Sequence, residues 1–319
     1  MKVDRRIALA IGAALMLFAP PAAADYPDRP ITMIVPFGAG GTTDVIARSL
    51  AGALEPALGQ KIVVINKDGA AGVIGTTELG RSKADGYTIG MIPVGPLTTQ
   101  PHLRELAYSV DSFDYICQAY SNPQVLIVTT DSPYKTLKDL IADAKAKPGQ
   151  IRYGSSGPGT IPHLAMLDFV RKAGIDLTHV PGKGEADAFR SMLGGTVIGF
   201  PVHTGFVTAN ADRVRPLAIM AAQRRSEFPD LPTFKEAGLD VSFDVWGGLV
   251  APKGLPADVR SKLEKACAAA QASAVYREQQ TKLKMPPVSS TGAAFAAFVR
   301  AEFARNGNII KDAGLRSKQ

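Results

Sequence analysis

Residues 31–59 read ITMIVPFGAGGTTDVIARSLAGALEPALG, and this stretch decides the fold. Its first five residues, ITMIV, are mostly apolar or β-branched and predict a short strand that ends at Pro36. The glycine-rich loop PFGAGGTTD follows at residues 36–44, and from Asp44 onward the apolar residues recur with the period of a helix. A strand, a glycine loop and a helix in succession form the repeating unit of an α/β fold with a parallel sheet.

The same unit recurs along the rest of the chain. Further strands are predicted at residues 61–66 and 87–92, and then in a second series at 125–129, 151–156, 177–180, 196–200, 215–220 and 243–252. Helices are predicted between most of these strands, and amphipathic helices at 257–285 and 292–312 follow them. We therefore predict two α/β lobes with a ligand cleft between them, one lobe from residues 25–120 plus 225–319 and the other from 121–224.

Residues 1–24 have the three parts of a secretory signal peptide. Lys2, Arg5 and Arg6 form a basic start, an apolar run covers residues 7–18, and three alanines end the segment at 22–24. The alternative is a retained membrane anchor, but the apolar run is shorter than the roughly 20 residues that a spanning helix needs. We therefore expect export to the periplasm and removal of this segment.

Composition argues against two classes of protein. The formal net charge is +7, but the basic residues are scattered rather than gathered into a stripe, which disfavours nucleic-acid binding. The four histidines show no metal-ligand spacing, so we expect neither a metal nor a cofactor. Cys117 and Cys267 are the only cysteines, and an oxidising compartment favours a disulfide between them, two buried free thiols being the alternative.

The loop at residues 36–44 is a candidate anion site. Its amides lie where a strand meets a helix start, so N–H groups and the positive end of the helix dipole can point at a carboxylate. Thr42 and Thr43 could add hydroxyl donors or cap the helix, while Asp44 complements the dipole. The alternative is a tight, well-capped turn without a ligand. A dinucleotide site fits poorly, because Thr43 stands where the third glycine of that motif belongs.

The segment GSSGPGTIPHL, residues 154–164, repeats this arrangement in the second lobe. Two helix starts that favour anions indicate one ligand between them. A serine-hydrolase elbow fits poorly, because Pro158 occupies the last position of the G-x-S-x-G pattern. His163 lies on the first turn of the following helix, where it is either a structural histidine or a ligand contact. Trp246, the single tryptophan, is expected in the cleft wall or in the core.

Five segments follow one another in a recognisable order: YPDRPITMIVPFGAGGTTDVIAR, KTLKDLIADAKAKPGQIRYGSSGPGTIPHL, HVPGKGEADAFRSMLGG, DLPTFKEAGL and FVRAEFARNGNIIKDAGL. From about Tyr26 to Leu315 the chain resembles the substrate-binding proteins of tripartite tricarboxylate transporters, also called the Bug family of periplasmic receptors. This resemblance implies two Rossmann-like lobes of the type II periplasmic binding protein kind. Crossing strands would join the lobes, which would close over a ligand in the cleft.

The resemblance also implies where the ligand binds. In that family, main-chain amides and waters of two glycine loops hold the ligand carboxylate, and these loops correspond here to residues 37–43 and 155–160. Polar positions of the family are replaced by the apolar segments 93–97 and 200–204, which implies a carboxylate with an aromatic or apolar body. The residues expected to bind it are Phe37, Gly38, Ala39, Gly40, Gly41, Thr42, Thr43, Pro93, Val94, Ser155, Ser156, Gly157, Gly159, Thr160, His163, His203 and Thr204.

These observations predict a receptor rather than an enzyme. We expect a monomer that captures a small organic acid in the periplasm and presents it to membrane transporter subunits, with no nucleic-acid partner. One alternative keeps the fold but makes the protein an extracytoplasmic sensor for a membrane kinase. The other is a secreted hydrolase, for which the sequence offers no recognisable nucleophile and base.

Overall fold

The computed structural model describes residues 25–285 and 288–315, so the predicted signal peptide lies outside the described residues. The opening stretch folds as predicted: β1 (Ile31–Val35) leads through the glycine loop into α1 (Thr42–Leu58). The helix ends at Gly59, whose φ of 70° is the left-handed conformation that commonly ends helices.

The sheet of the first lobe is built around β1. Its other members are β2 (Ile62–Asn66), β3 (Thr88–Pro93), the first half of β4 (Phe113–Thr129) and β9 (Asp244–Pro252). β2 and β3 run parallel to β1 on either side of it, whereas β9 and β4 extend the sheet in antiparallel fashion. Ile31, Met33 and Val35 are fully buried in one core with apolar residues of α1 and of α8 (Ala257–Ala272). Two short helices complete the path along this lobe, α2 (Val73–Gly80) and α3 (Gln100–Leu103).

The second lobe uses the other half of β4. There β4 pairs antiparallel with β7 (Gly199–His203) and β8 (Val214–Ile219), while β5 (Arg152–Ser155) and β6 (Thr178–Pro181) form a parallel pair. Its helices are α4 (Leu137–Ala146), α5 (Ile161–Ala173), α6 (Glu185–Leu193) and α7 (Thr204–Ala209). The fold is thus the two-lobed α/β arrangement that the sequence predicts, and the residue boundaries of the lobes remain a proposal.

β4 and β9 are the crossing strands between the lobes. β4 begins at Phe113, well before the strand start predicted at residue 125. The missed half is buried although it contains polar residues, and some of these bond to distant partners. Asp114 accepts hydrogen bonds from Lys253 and the Gly254 amide, and Asn122 accepts one from Thr204. These partners satisfy groups whose burial would otherwise be costly, so the strand does not need an apolar pattern.

The C-terminal helices pack back onto the first lobe and the crossing strands. The single helix predicted at 257–285 is interrupted at Ser273, which caps α9 (Ala274–Lys282) by accepting the Tyr276 amide N–H. α10 (Gly292–Asp312) buries Phe295 edge-to-face against Trp246, which is fully buried and therefore belongs to the core. Throughout residues 25–285 and 288–315, no helix is both long enough and apolar enough to cross a membrane.

A disulfide joins the first lobe's sheet to one of its helices. Cys117 of β4 is bonded to Cys267 of α8, and their Cα atoms lie 6.5 Å apart. Of the two alternatives, a disulfide or two buried free thiols, the structure contains the disulfide. The bond links residues 150 positions apart in sequence, which restricts the unfolded chain and so stabilises the fold.

Candidate functional site

Asp44 organises the first glycine loop. Its carboxylate accepts hydrogen bonds from the Gly40 amide (2.9 Å), the Arg48 guanidinium (3.0 Å) and the Asn66 side chain (2.9 Å). Burial favours a higher pKa for Asp44, but these donors outweigh it and hold the pKa below its ordinary value. Gly40 has a φ of 80°, which favours glycine there. The loop is therefore held by a charged carboxylate of its own.

The helices that follow the two glycine loops begin without a side-chain cap. Gly41 is the N-cap of α1, and Thr160 is the N-cap of α5, where its hydroxyl instead donates to the Gly157 carbonyl at 2.7 Å. Side-chain caps are present at Thr136, His203, Ser273 and Thr291, whereas α2, α3, α6 and α8 also lack one, so α1 and α5 are distinguished by their position at the cleft. The first-turn N–H groups of α1 and α5 thus remain available to an anion, which the helix dipoles would also attract.

Ser155 and His163 hold the second glycine loop in shape. The Gly157 amide donates to Ser155 Oγ at 3.1 Å, and the Gly159 amide donates to His163 Nδ1 at 3.0 Å. Both glycines have φ in the left-handed range, 130° and 70°, which a residue with a side chain rarely adopts. The loop geometry therefore depends on glycine at two positions and on two buried side chains that fix their amides.

α1 and α5 begin in different lobes, and both helix starts line one cleft of about 350 Å³. Among the described residues of its wall, none has a charged side chain. The predicted ligand residues that line it are Phe37, Gly41, Thr42, Thr43, Pro93, Val94, Gly159 and Thr160. The structure thus brings together residues from both glycine loops and from the end of β3.

The other predicted ligand residues lie outside this wall. Six of them, Gly38, Ala39, Gly40, Ser155, Ser156 and Gly157, belong to the glycine loops without lining the cleft, and His163 is buried beside the second loop. β7 continues to His203, past its predicted end at residue 200. Residues 201–203 therefore pair with β4. His203 caps α7 by accepting the Phe206 amide at 3.2 Å, and Thr204 donates to Asn122 at 2.8 Å.

Several wall residues were not among the predicted ligand residues, although Gly95 lies in the segment 93–97 that was expected at the pocket. They are Ala71, Gly95, Thr99, Gln100, Tyr120, Ile161, Pro162 and Val245. Ile161 and Pro162 directly follow the second loop, so including the first helical turn would have found them. Tyr120 and Val245 lie on the crossing strands, and no local pattern marks them. Only the course of β4 and β9 between the lobes brings these two residues to the cleft.

Tyr120 adds a neutral hydroxyl to the cleft. Burial raises its pKa to about 12, so the phenol keeps its proton at neutral pH. The Tyr120 hydroxyl lies 3.4 Å from Thr43 Oγ1, at the start of α1. Amides and hydroxyls, rather than a basic side chain, are therefore the groups that could bind a carboxylate. Apolar wall residues such as Phe37, Val94 and Ile161 suit a hydrocarbon body.

The site contains one arrangement that resembles catalytic machinery. Ser155 Oγ lies 2.7 Å from His179 Nε2, but the serine is fully buried and its hydroxyl also contacts the Gly157 amide and carbonyl. A buried hydroxyl with these partners supports the loop and cannot reach a substrate. In the described residues, no group of three or more His, Cys, Asp or Glu side chains is placed to hold a metal ion.

Two α/β lobes, crossing strands and paired helix ends at a cleft are the architecture of solute-binding proteins. A solved structure described as periplasmic binding protein BugD is 33% identical to this chain, with a TM-score of 0.77. The match covers 92% of this chain and 100% of the solved chain. An R. palustris protein solved with adipate is 31% identical with a TM-score of 0.79, covering 91% of this chain and 99% of the other.

Sequence comparison gives the family. A Cupriavidus necator protein described as "UPF0065 protein in gbd 5'region" is 34% identical over 314 residues, which is 96% of this chain and 95% of the relative. Residues 46–315 match the family described as tripartite tricarboxylate transporter family receptor. The chain belongs to this family, whose members are substrate-binding receptors and not enzymes.

Proposed function

We propose that this receptor binds a small organic carboxylate with an apolar or aromatic body. The observation that carries the proposal is the uncapped start of α1 facing the same uncharged cleft as the uncapped start of α5. A carboxylate there gains hydrogen bonds from first-turn amides and a favourable interaction with the helix dipoles. Pro93, Val94 and Val245 add apolar surface for the rest of the molecule.

The chemistry of a related complex supports this choice. Adipate, which is bound to the R. palustris neighbour, combines carboxylates with a hydrocarbon chain. We further propose that the mature protein acts in the periplasm as a monomer and delivers its ligand to the membrane subunits of a tripartite transporter. Loss of uptake of the bound acid in cells that lack the gene, with uptake restored by the gene, is the expected result for this role.

The direct test is thermal unfolding of residues 25–319, stripped of carried-over ligand, with mono-, di- and tricarboxylates and aromatic acids. A ligand that binds only the folded state adds about 2.7 kcal/mol to the free energy of unfolding at 100 times its Kd. We expect a rise in Tm with an acid that has an apolar body. No rise with any acid of the panel would contradict the proposal.

Gly159→Ala and Gly174→Ala form a matched pair for this test. Both glycines have left-handed φ, 70° and 61°, so both substitutions strain the backbone. A Cβ at Gly159 would lie 2.3 Å from Leu103 Cδ1 in the cleft region, whereas a Cβ at Gly174 would meet nothing within 4 Å. We expect Gly159→Ala to abolish the ligand-induced rise in Tm and Gly174→Ala to retain it.

A further inference from the structure

Three stacked rings lie beside the second glycine loop. The His163 and His179 rings are 3.9 Å apart and inclined by 14°, and Tyr153 stacks on the far side of His179 at 5.0 Å. His163 is only 3% exposed and Tyr153 only 1%. The two outer rings are therefore buried in the second lobe, the middle ring of His179 is partly exposed, and none of the three lines the cleft.

The stack is bonded to the loop at two points. His163 Nδ1 accepts the Gly159 amide N–H at 3.0 Å, and His179 Nε2 lies 2.7 Å from Ser155 Oγ, which accepts the Gly157 amide at 3.1 Å. Because Nδ1 of His163 accepts a hydrogen bond, the neutral ring carries its proton on Nε2. Each of the two left-handed glycines of the loop is thus connected, directly or through Ser155, to one histidine.

Both imidazoles favour the neutral form, which the hydrogen bond accepted by His163 Nδ1 requires. Burial lowers the pKa of His163 to about 3, with a further contribution from His179, and burial lowers the pKa of His179 as well. At the pH of the periplasm the Nδ1 lone pair of His163 therefore stays available to the Gly159 amide. This bond occupies the Gly159 amide, and the Thr160 amide and hydroxyl both donate to the Gly157 carbonyl, so the loop leaves to a ligand the N–H groups in the first turn of α5 that follow Thr160.

We infer that His163 and His179 are positioning residues, which fix the second glycine loop in its binding geometry without contacting the ligand. The inference rests on the proposed function and assigns to His163 a role different from the ligand contact considered from sequence. A loop fixed before binding loses less conformational freedom when a carboxylate is bound. The pair should therefore strengthen ligand binding through the order of residues 155–160.

The test compares three variants of the mature chain, residues 25–319, with the wild type. His163→Leu removes the acceptor, His163→Asn supplies a carbonyl oxygen in place of Nδ1, and His179→Phe keeps an aromatic ring but removes the contact with Ser155. Amide hydrogen exchange of Gly157 and Gly159 in the ligand-free protein reports loop order, and nitrogen chemical shifts report the His163 tautomer. Calorimetric titration with adipate, and with whichever panel acid raises Tm most, reports affinity.

We expect His163→Leu to speed exchange of the Gly159 amide and to weaken acid binding about tenfold, the effect of losing one buried hydrogen bond. His163→Asn should restore both toward the wild type, and His179→Phe should speed exchange of the Gly157 amide. Unchanged loop exchange in His163→Leu, or His163→Asn behaving like His163→Leu, would overturn the inference. Failure of the wild type to bind any acid would contradict the proposed function instead, while the exchange data would still decide the role of the histidines.

Discussion

Tyr120 shows how one residue can connect the cleft with the strands between the lobes. Its backbone belongs to the crossing strand β4, and its hydroxyl lies 3.4 Å from Thr43 Oγ1 at the start of α1. The nearly complete burial of its ring, 1% exposed, fixes the hydroxyl in place. A ligand carboxylate at α1 can therefore receive a donor whose position depends on the crossing strand rather than on a loop.

The first prediction concerns this hydroxyl. Tyr120→Phe keeps the buried ring but removes a donor, and we expect it to weaken acid binding about fivefold, which corresponds to about 1 kcal/mol. Isothermal titration with the bound acid measures the change. Tyr134→Phe is the matched control, since the Tyr134 hydroxyl donates to Asp143 at 2.7 Å and does not line the cleft. Equal affinities for Tyr120→Phe and the wild type would exclude a contact between this hydroxyl and the ligand.

His163 also predicts how stability depends on pH. Its pKa is about 3 in the folded protein and near the ordinary value of 6.5 in the unfolded chain, so between these values only the unfolded chain binds the proton. The neutral His163 imidazole therefore makes its full contribution to the free energy of unfolding above pH 6.5, and this contribution is lost as the pH falls toward 3. For this group we expect the free energy of unfolding to be about 2 kcal/mol lower at pH 5 than at pH 7.

Urea unfolding of the wild type and of His163→Asn across pH 4–7 checks this value. The variant lacks the imidazole, so its stability should fall less steeply as the pH decreases. His179 has a lowered pKa too and remains in both proteins, so the difference between the two slopes reports the loss of the His163 imidazole together with its effect on the stacked His179. Parallel pH profiles would show that His163 titrates alike in the folded and unfolded chains.

At the level of elements, the start of α1 is the feature on which the proposed carboxylate binding depends most directly. Gly41 has an extended backbone, with φ of −73° and ψ of 163°, which suits a residue with a capping side chain. A Cβ there would meet only the Gly38 carbonyl oxygen, at 3.4 Å. The backbone could therefore hold a cap, and the absence of one leaves the helix start to an external anion.

A substitution at this cap should separate stability from binding. In Gly41→Asp, the new carboxylate can accept the first-turn N–H groups of α1, and we expect it to raise the free energy of unfolding of the ligand-free protein by a few tenths of a kcal/mol. The same carboxylate competes with the ligand and repels its charge, so affinity should fall at least tenfold. Denaturant unfolding and calorimetry on one preparation measure both quantities.

Thr136→Asp is the control for this substitution. It exchanges one capping side chain for another at the start of α4, whose first residue Leu137 does not line the cleft. Its affinity for the acid should equal that of the wild type. If Gly41→Asp also left affinity unchanged, the start of α1 would not be the carboxylate site.

In the whole molecule, the crossing strands separate two clefts. Successive side chains of a strand point to opposite faces, and Tyr120 and Val245 accordingly line the ligand cleft. Their neighbours Ser121 and Asp244 line a second cleft of about 550 Å³, where the Ser121 hydroxyl donates to Asp244 at 2.5 Å. A rotation of the lobes about these strands that narrows one cleft must widen the other.

Closure of the lobes on the ligand is the prediction at this scale. We expect the radius of gyration from small-angle X-ray scattering to decrease when the bound acid saturates the protein. Gly159→Ala, which should not bind the acid, should give the same scattering with and without it. A scattering curve of the wild type that does not change at saturation would show that binding occurs without closure.

The sequence by itself determined the features that depend on local rules. Apolar β-branched runs such as 31–35 form strands, and Gly40, Gly157 and Gly159 of the two loops adopt conformations open mainly to glycine, so the two-lobed α/β fold and both loops were predicted. The first turn of α1, with Thr42 and Thr43, was found for the same reason. These features need no information about distant parts of the chain.

Only the tertiary structure decided the rest, because it depends on partners far away in sequence. In β4, the buried Asp114 carboxylate and the Asn122 carbonyl oxygen accept hydrogen bonds from Lys253 and Thr204, and no local sequence pattern predicts these pairs. Tyr120 reaches the cleft through the path of β4, while His163 Nδ1 accepts the Gly159 amide N–H. A side chain's role follows from which groups burial brings within bonding distance, and that is fixed only when the lobes have folded.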